Sequence, residues 1–149
     1  MSTWWATSGV VGSAVMVGLV GYSQSVAYPA LGWLNPAARA RFHEAHSNGI
    51  AVWAALGLIT CGAAGLGALL AVLDTGAPGS RTAALACLLA AAAVGVSTLF
   101  AAARHTQLGH AQSEETVMAA LRSLLRINAI RLVACGALLV SALWALSAS

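Results

Sequence analysis

Apolar residues run almost unbroken through four long segments of this chain, and short polar segments separate them. The first begins at Trp4 or Trp5 and reaches about Tyr28; the Trp pair suits a membrane interface, and Pro29 opposes simple helical continuation. Residues 29–36, bounded by two prolines, then read as a loop. A second helix starts at Pro36, where proline is tolerated in the first turn. It passes through Ala-Ala-Arg-Ala-Arg-Phe-His-Glu-Ala-His and enters an apolar run over 50–73. The sequence DTGAPGSR at 74–81 has turn chemistry, and 82–103 forms an alanine-rich third span with Arg104 and His105 at its exit. A polar connection over 109–115 follows, in which Ser113-Glu114-Glu115-Thr116 supplies a cap and acidic first-turn residues to a fourth helix reaching about Leu146. Crossing a hydrocarbon core of about 30 Å takes about 20 apolar residues, and each segment has them. The pattern predicts an all-α fold: an integral membrane, antiparallel four-helix bundle in one domain, with spans near 5–28, 37–73, 82–105 and 114–146.

Composition sharpens this picture. Hydrophobic residues make up 60% of the 149 positions and charged ones only 7%, which excludes a water-soluble domain and leaves no room for a second one. Gly57, Gly62, Gly65 and Gly67, with the alanines of the third span, predict close backbone approach, the usual source of helix packing in lipid. The net charge of +3 comes from arginines, since the chain has no lysine. Most flank helix ends, where anionic headgroups would meet them, so the bilayer is the expected partner and nucleic acid is not. Arg39, Arg41, Arg104, Arg122 and Arg126 fall on one side and Arg81 on the other, which places the first and third loops in the cytoplasm. Cys61, Cys87 and Cys135 are odd in number and lie within spans, where thiols behave as small apolar groups. No positively charged region precedes the first apolar run, so that run is expected to be retained rather than cleaved. Four helices bury limited surface, and a homo-oligomer is compatible with that.

The up-and-down topology gathers polar residues at one end. Gln24 and Tyr28, four apart, close the first helix; His43 and His46, three apart, open the second; His105 ends the third; Asn128 and Arg131 lie early in the fourth. Leu124, Asn128, Arg131 and Cys135 form one stripe, from which Arg122 and Arg126 point away at ~100° per residue. A charge inside hydrocarbon costs at least about 2.5–3.5 kcal/mol, so Arg131 either meets a partner, water or an anion, or it snorkels and pins the helix. His43, His46 and His105 could bind Cu, Fe or Zn, with Glu44, Gln24 or Tyr28 nearby; equally they could move protons, or simply meet headgroups. Glu114 and Glu115 fit the helix dipole better than catalysis. Thr98 could line a cavity or bond its own backbone. His110 stands apart from the set.

The motifs Gln24-Ser25-Val26-Ala27-Tyr28-Pro29, Phe42-His43-Glu44-Ala45-His46, Arg104-His105 with Leu108, and Leu125-Arg126-Ile127-Asn128-Ala129-Ile130-Arg131 resemble, in order, those of small bacterial four-span proteins of unknown function. Those proteins are in turn similar to anthrone-oxygenase-like membrane proteins. The resemblance covers nearly the whole chain and carries over Gln24, Tyr28, His43, His46, His105, Asn128 and Arg131, but not His110. Two departures stand out: Ala103-Arg104 replaces a segment that tends to contain proline, and nothing acidic lies between Glu44 and Asp74.

The resemblance implies a bacterial inner-membrane protein that oxidises or oxygenates a lipophilic aromatic molecule in natural-product biosynthesis. In that reading the histidines bind metal or move protons, Arg131 and Asn128 hold an anionic or enolic oxygen, and Gln24 and Tyr28 orient the set. A non-oxidative isomerase or cyclase, or a lipophile-binding accessory subunit, uses the same residues differently. The absence of an interrupted helix at the midplane argues against a transporter.

Overall fold

A computed structural model describes residues 3–74, 78–110 and 113–147. Of the two connections expected around residues 74–81 and 109–115, positions 75–77 and 111–112 lie outside the described residues. The described chain is helical, with no strand. Its elements are α1 (Trp4–Trp33), α2 (Pro36–Leu73), α3 (Pro78–His110) and α4 (Glu114–Ser147). All four are long and apolar enough to cross a membrane, and the protein is a multi-pass membrane protein. Each helix packs on its neighbour in sequence, and α1 also packs on α4, which closes the bundle. At 1.5 Å per residue the 38 residues of α2 extend about 57 Å, well beyond the hydrocarbon, so its first turns stand at the membrane surface.

The first helix corrects the expected boundary at Pro29. It continues to Trp33, because residues Ser23–Ala27 widen into a π-helical segment in which the Tyr28 N–H reaches back five residues to the Ser23 carbonyl. Such a bulge relieves the clash between a proline ring and the preceding turn and is often found at functional sites. It is also an interrupted helix of a kind, placed at the polar end of the bundle. The expected eight-residue loop shrinks to Leu34 and Asn35. Asn35 accepts the Ala38 N–H on its side chain at 2.9 Å and starts α2 as an N-cap.

Arg39 departs further from expectation. Instead of meeting headgroups it is 8% exposed. Its Nε donates to the Leu31 carbonyl at 2.9 Å and its Nη2 to the Leu34 carbonyl at 3.0 Å. Its Nη1 and Nη2 hold both carboxylate oxygens of Glu114, at 2.8 and 3.0 Å. One guanidinium therefore satisfies carbonyls at the end of α1, complements that helix's dipole, and ties α2 to the start of α4. Glu114 serves this pairing as well as the α4 dipole. Ser113 caps α4 as expected: its Oγ accepts the Thr116 N–H at 3.2 Å, and Thr116 Oγ1 accepts the Ser113 N–H at 3.3 Å.

The core is built from small side chains. Cys61, Cys87 and Cys135, all free and buried, sit among Ala6, Ala64, Ala68 and Leu138. The α1–α2 seam is the tightest: a Cβ on Gly12 would stand 2.8 Å from the Cys61 backbone nitrogen, and one on Gly57 would stand 2.7 Å from Met16 Sδ. Gly62, expected at a seam, has nothing within 4 Å of its Cβ position and faces outward.

Two predictions follow from these contacts. Gly12→Ala should destabilise the bundle by about 1–3 kcal/mol, the usual cost of overpacking, whereas Gly62→Ala should leave it as stable or slightly more so. Denaturant unfolding in detergent, followed by circular dichroism, separates the two; equal effects would refute the close seam. Arg39→Ala should lower the unfolding midpoint more than Glu114→Ala does, because it also strips the donors from two helix-end carbonyls.

Candidate functional site

The π segment of α1 sets the register of the site. Ser23, Ala27 and Tyr28 are buried together, which turns the Tyr28 phenol into the bundle. There Tyr28 Oη and His105 Nε2 share a hydrogen bond of 2.7 Å across α1 and α3. On α4 the predicted stripe is buried as a unit: Leu124, Asn128, Arg131 and Cys135 all face inward, while Arg122 and Arg126 are exposed. Arg131 Nη1 donates to Asn128 Oδ1 at 3.0 Å, one turn away. Asn128 and Ser23 both face the Tyr28 hydroxyl, and Arg131 stands near it.

From α2 the histidines approach by their rings. His43 lies nearly parallel to His105, with centroids 5.4 Å apart and an interplanar angle of 16°. His46 is surrounded by aromatic rings: Tyr22 at 5.9 Å, Tyr28 edge-on at 6.1 Å and Phe42 parallel at 6.1 Å. The structure thus joins Tyr28, His43, His46, His105, Asn128 and Arg131, contributed by all four helices. Gln24, on the π segment, points its Oε1 into a buried position without a partner. Thr98 bonds its own helix, donating to the Val94 carbonyl at 2.7 Å. The side chain of His110 lies outside the described residues.

What marks this end of the bundle is unmet hydrogen-bonding capacity. Gln24 Oε1, His43 Nδ1, His46 Nε2, Ser47 Oγ, His105 Nδ1, Asn128 Nδ2 and Arg131 Nε are buried and meet no hydrogen-bonding atom. Buried polar atoms are paired nine times in ten or more, so such a concentration signals bound water or a ligand. A cavity of about 30 Å³ lies here, walled by Tyr28, His105 and Arg131 on its polar side and by Met16, Val20 and Ile50 on its apolar side. It has room for water but not for a drug-sized ligand, which occupies about 300 Å³ or more. A second, larger cavity of about 460 Å³ lies nearer the membrane surface and is bordered by His43, Glu44, Arg39 and Glu114.

The expected three-histidine set for Cu, Fe or Zn was His43, His46 and His105. Among the described residues no three His, Cys, Asp or Glu side chains converge in an arrangement that could hold a metal ion. His105 Nε2 is engaged by Tyr28, and His46 is packed among aromatic rings. No family model, curated protein or solved structure matches this chain.

Sequence reasoning missed Arg39, Ser23 and the Tyr22 and Phe42 rings. Arg39 was within reach of it: Arg39, His43 and His46 stand at i, i+4 and i+7, the spacing of a single helix face. Ser23 carried no signal, because its inward position depends on the bulge.

If the buried Arg131 serves a ligand rather than the fold, removing its charge should not harm the bundle. Arg131→Met is expected to unfold close to the wild-type midpoint, since it removes a buried charge that has no counter-ion and loses one hydrogen bond, to Asn128, of about 1 kcal/mol. Thermal unfolding in detergent checks this, and a clear fall would identify Arg131 as a structural pin.

Proposed function

We propose that this chain is a membrane-embedded enzyme that takes a lipophilic, enolisable aromatic molecule between its helices, removes a proton from it, and exposes the resulting enolate to dioxygen. The observation that carries this reading is the Tyr28–His105 hydrogen bond of 2.7 Å beside the buried Arg131, whose Nε has no partner, and Asn128, which faces the Tyr28 hydroxyl. A neutral imidazole linked to a phenol can accept a proton, and donors fixed in a water-poor site stabilise oxygen-centred charge far better than water-exposed ones do.

The chemistry balances without another reductant. A methylene conjugated with a carbonyl through an aromatic ring loses a proton to the Tyr28–His105 pair, and its electron pair moves through the ring onto the carbonyl oxygen held by Arg131 and Asn128. The enolate carbon reduces dioxygen and forms a C–O bond; the resulting peroxide anion takes the proton back to become a hydroperoxide, which loses water and leaves a second carbonyl. In sum, a CH2 and O2 become a C=O and H2O. The small resting cavity requires the helices to part for the substrate, and the π segment of α1 is where the packing is already irregular. Exposed Arg41, Arg122 and Arg126 favour placing this end of the bundle in the cytoplasm of a bacterial inner membrane.

The test uses anthrone with the full chain in liposomes. Without oxygen, the wild type should exchange the anthrone methylene protons with deuterium oxide; with oxygen, it should consume oxygen and form anthraquinone. Tyr28→Phe and His105→Gln should each lower the exchange by about 10²–10⁴-fold, the usual contribution of a positioned acid–base group. Exchange without oxygen uptake would assign an isomerase or cyclase in place of an oxygenase. Neither signal above protein-free liposomes would leave a lipophile-binding subunit.

A further inference from the structure

The deuterium exchange expected of the Tyr28–His105 pair needs a proton path between that pair, buried within the bundle, and water. The two cavities bear on that path. They share no lining residue: the smaller one contains His105, and the larger one, about 460 Å³, contains His43 together with Arg39, Glu44, Ser113 and Glu114. The near-parallel rings of His43 and His105, 5.4 Å between centroids, bring the two cavity walls together. Each ring has its Nδ1 buried and without a hydrogen-bond partner, so neither nitrogen is committed to another protein group.

We infer that the larger cavity is an aqueous port and that His43 carries protons between it and the buried Tyr28–His105 pair. The inference rests on the reading above that this pair exchanges a proton with substrate. In each transfer one N–H bond of His105 breaks and one N–H bond of His43 forms, through a water that takes one proton and gives up another; His43 then releases a proton to water in the port, and no electrons move. Imidazole suits such a hand-over because it can accept on one nitrogen and release from the other.

The neighbouring charged groups are poorer carriers. Arg39 and Glu114 are locked to each other by two hydrogen bonds at the port wall. Arg131, on the inner side, keeps its protons at any ordinary pH. His46 lies among Tyr22, Tyr28 and Phe42 and lines neither cavity. Glu44, exposed at the port, is the natural outlet beyond His43.

The deciding measurement needs no substrate. In the full chain, labelled with nitrogen-15 at histidine and reconstituted in membranes, magnetic resonance reads the exchange of the His105 ring N–H with water. His43→Phe keeps an aromatic plate against His105 but removes its nitrogens, and should slow this exchange about a hundredfold, the low end of what a positioned acid–base group contributes. His43→Glu, a poorer fit but a titratable one, should exchange faster than His43→Phe. Exchange in His43→Phe at the wild-type rate would overturn the relay, and so would His43→Glu no faster than His43→Phe. A relay that passes while anthrone stays untouched would refute the enzymatic reading alone.

Discussion

Hydrocarbon offers no partner to a polar group, and every feature of this bundle answers to that constraint. The backbone meets it by remaining helical throughout its spans. Most hydroxyls meet it locally: Ser13, Thr60, Ser97 and Ser141 each bond a carbonyl of their own helix. With the polar groups quiet, the helices associate by close packing of Gly, Ala and Cys, for lipid removes the hydrophobic drive that would assemble them in water. The upper part of the bundle is thus dry, small-residued and satisfied.

The lower end contains two buried arginines that solve the same problem in opposite ways. Arg39 makes four hydrogen bonds to the protein, with two carbonyls at the end of α1 and a bidentate carboxylate on α4. Arg131, equally buried, has one hydrogen bond, to Asn128, and an idle Nε. The first arrangement closes the fold, and the second leaves capacity for something that is not protein. Desolvated charge without a full set of partners is costly, so such a site persists where binding or chemistry gives it a use.

The π segment links these two regions. By admitting one wider turn, α1 carries Pro29 without breaking, runs on to present its last carbonyls to Arg39, and turns Tyr28 toward His105. A regular helix ending at Tyr28 would lose both relationships. Its irregular backbone sits beside the cavity, where helices of a membrane bundle can separate with least loss of packing.

The number of helices, their membrane span, the inward face of α4 and the gathering of Tyr28, His43, His46, His105, Asn128 and Arg131 at one end were all legible in the sequence, because hydropathy and helical spacing are local properties. The cap at Ser113 was legible for the same reason. Tertiary structure decided what spacing cannot express. Whether Arg39 meets a headgroup or Glu114 depends on a residue 75 positions away. Whether a proline ends a helix depends on a bulge that lets the chain absorb it. How the rings of His43, His46 and His105 face one another depends on contacts between helices rather than along one, and spacing within a single helix does not express it.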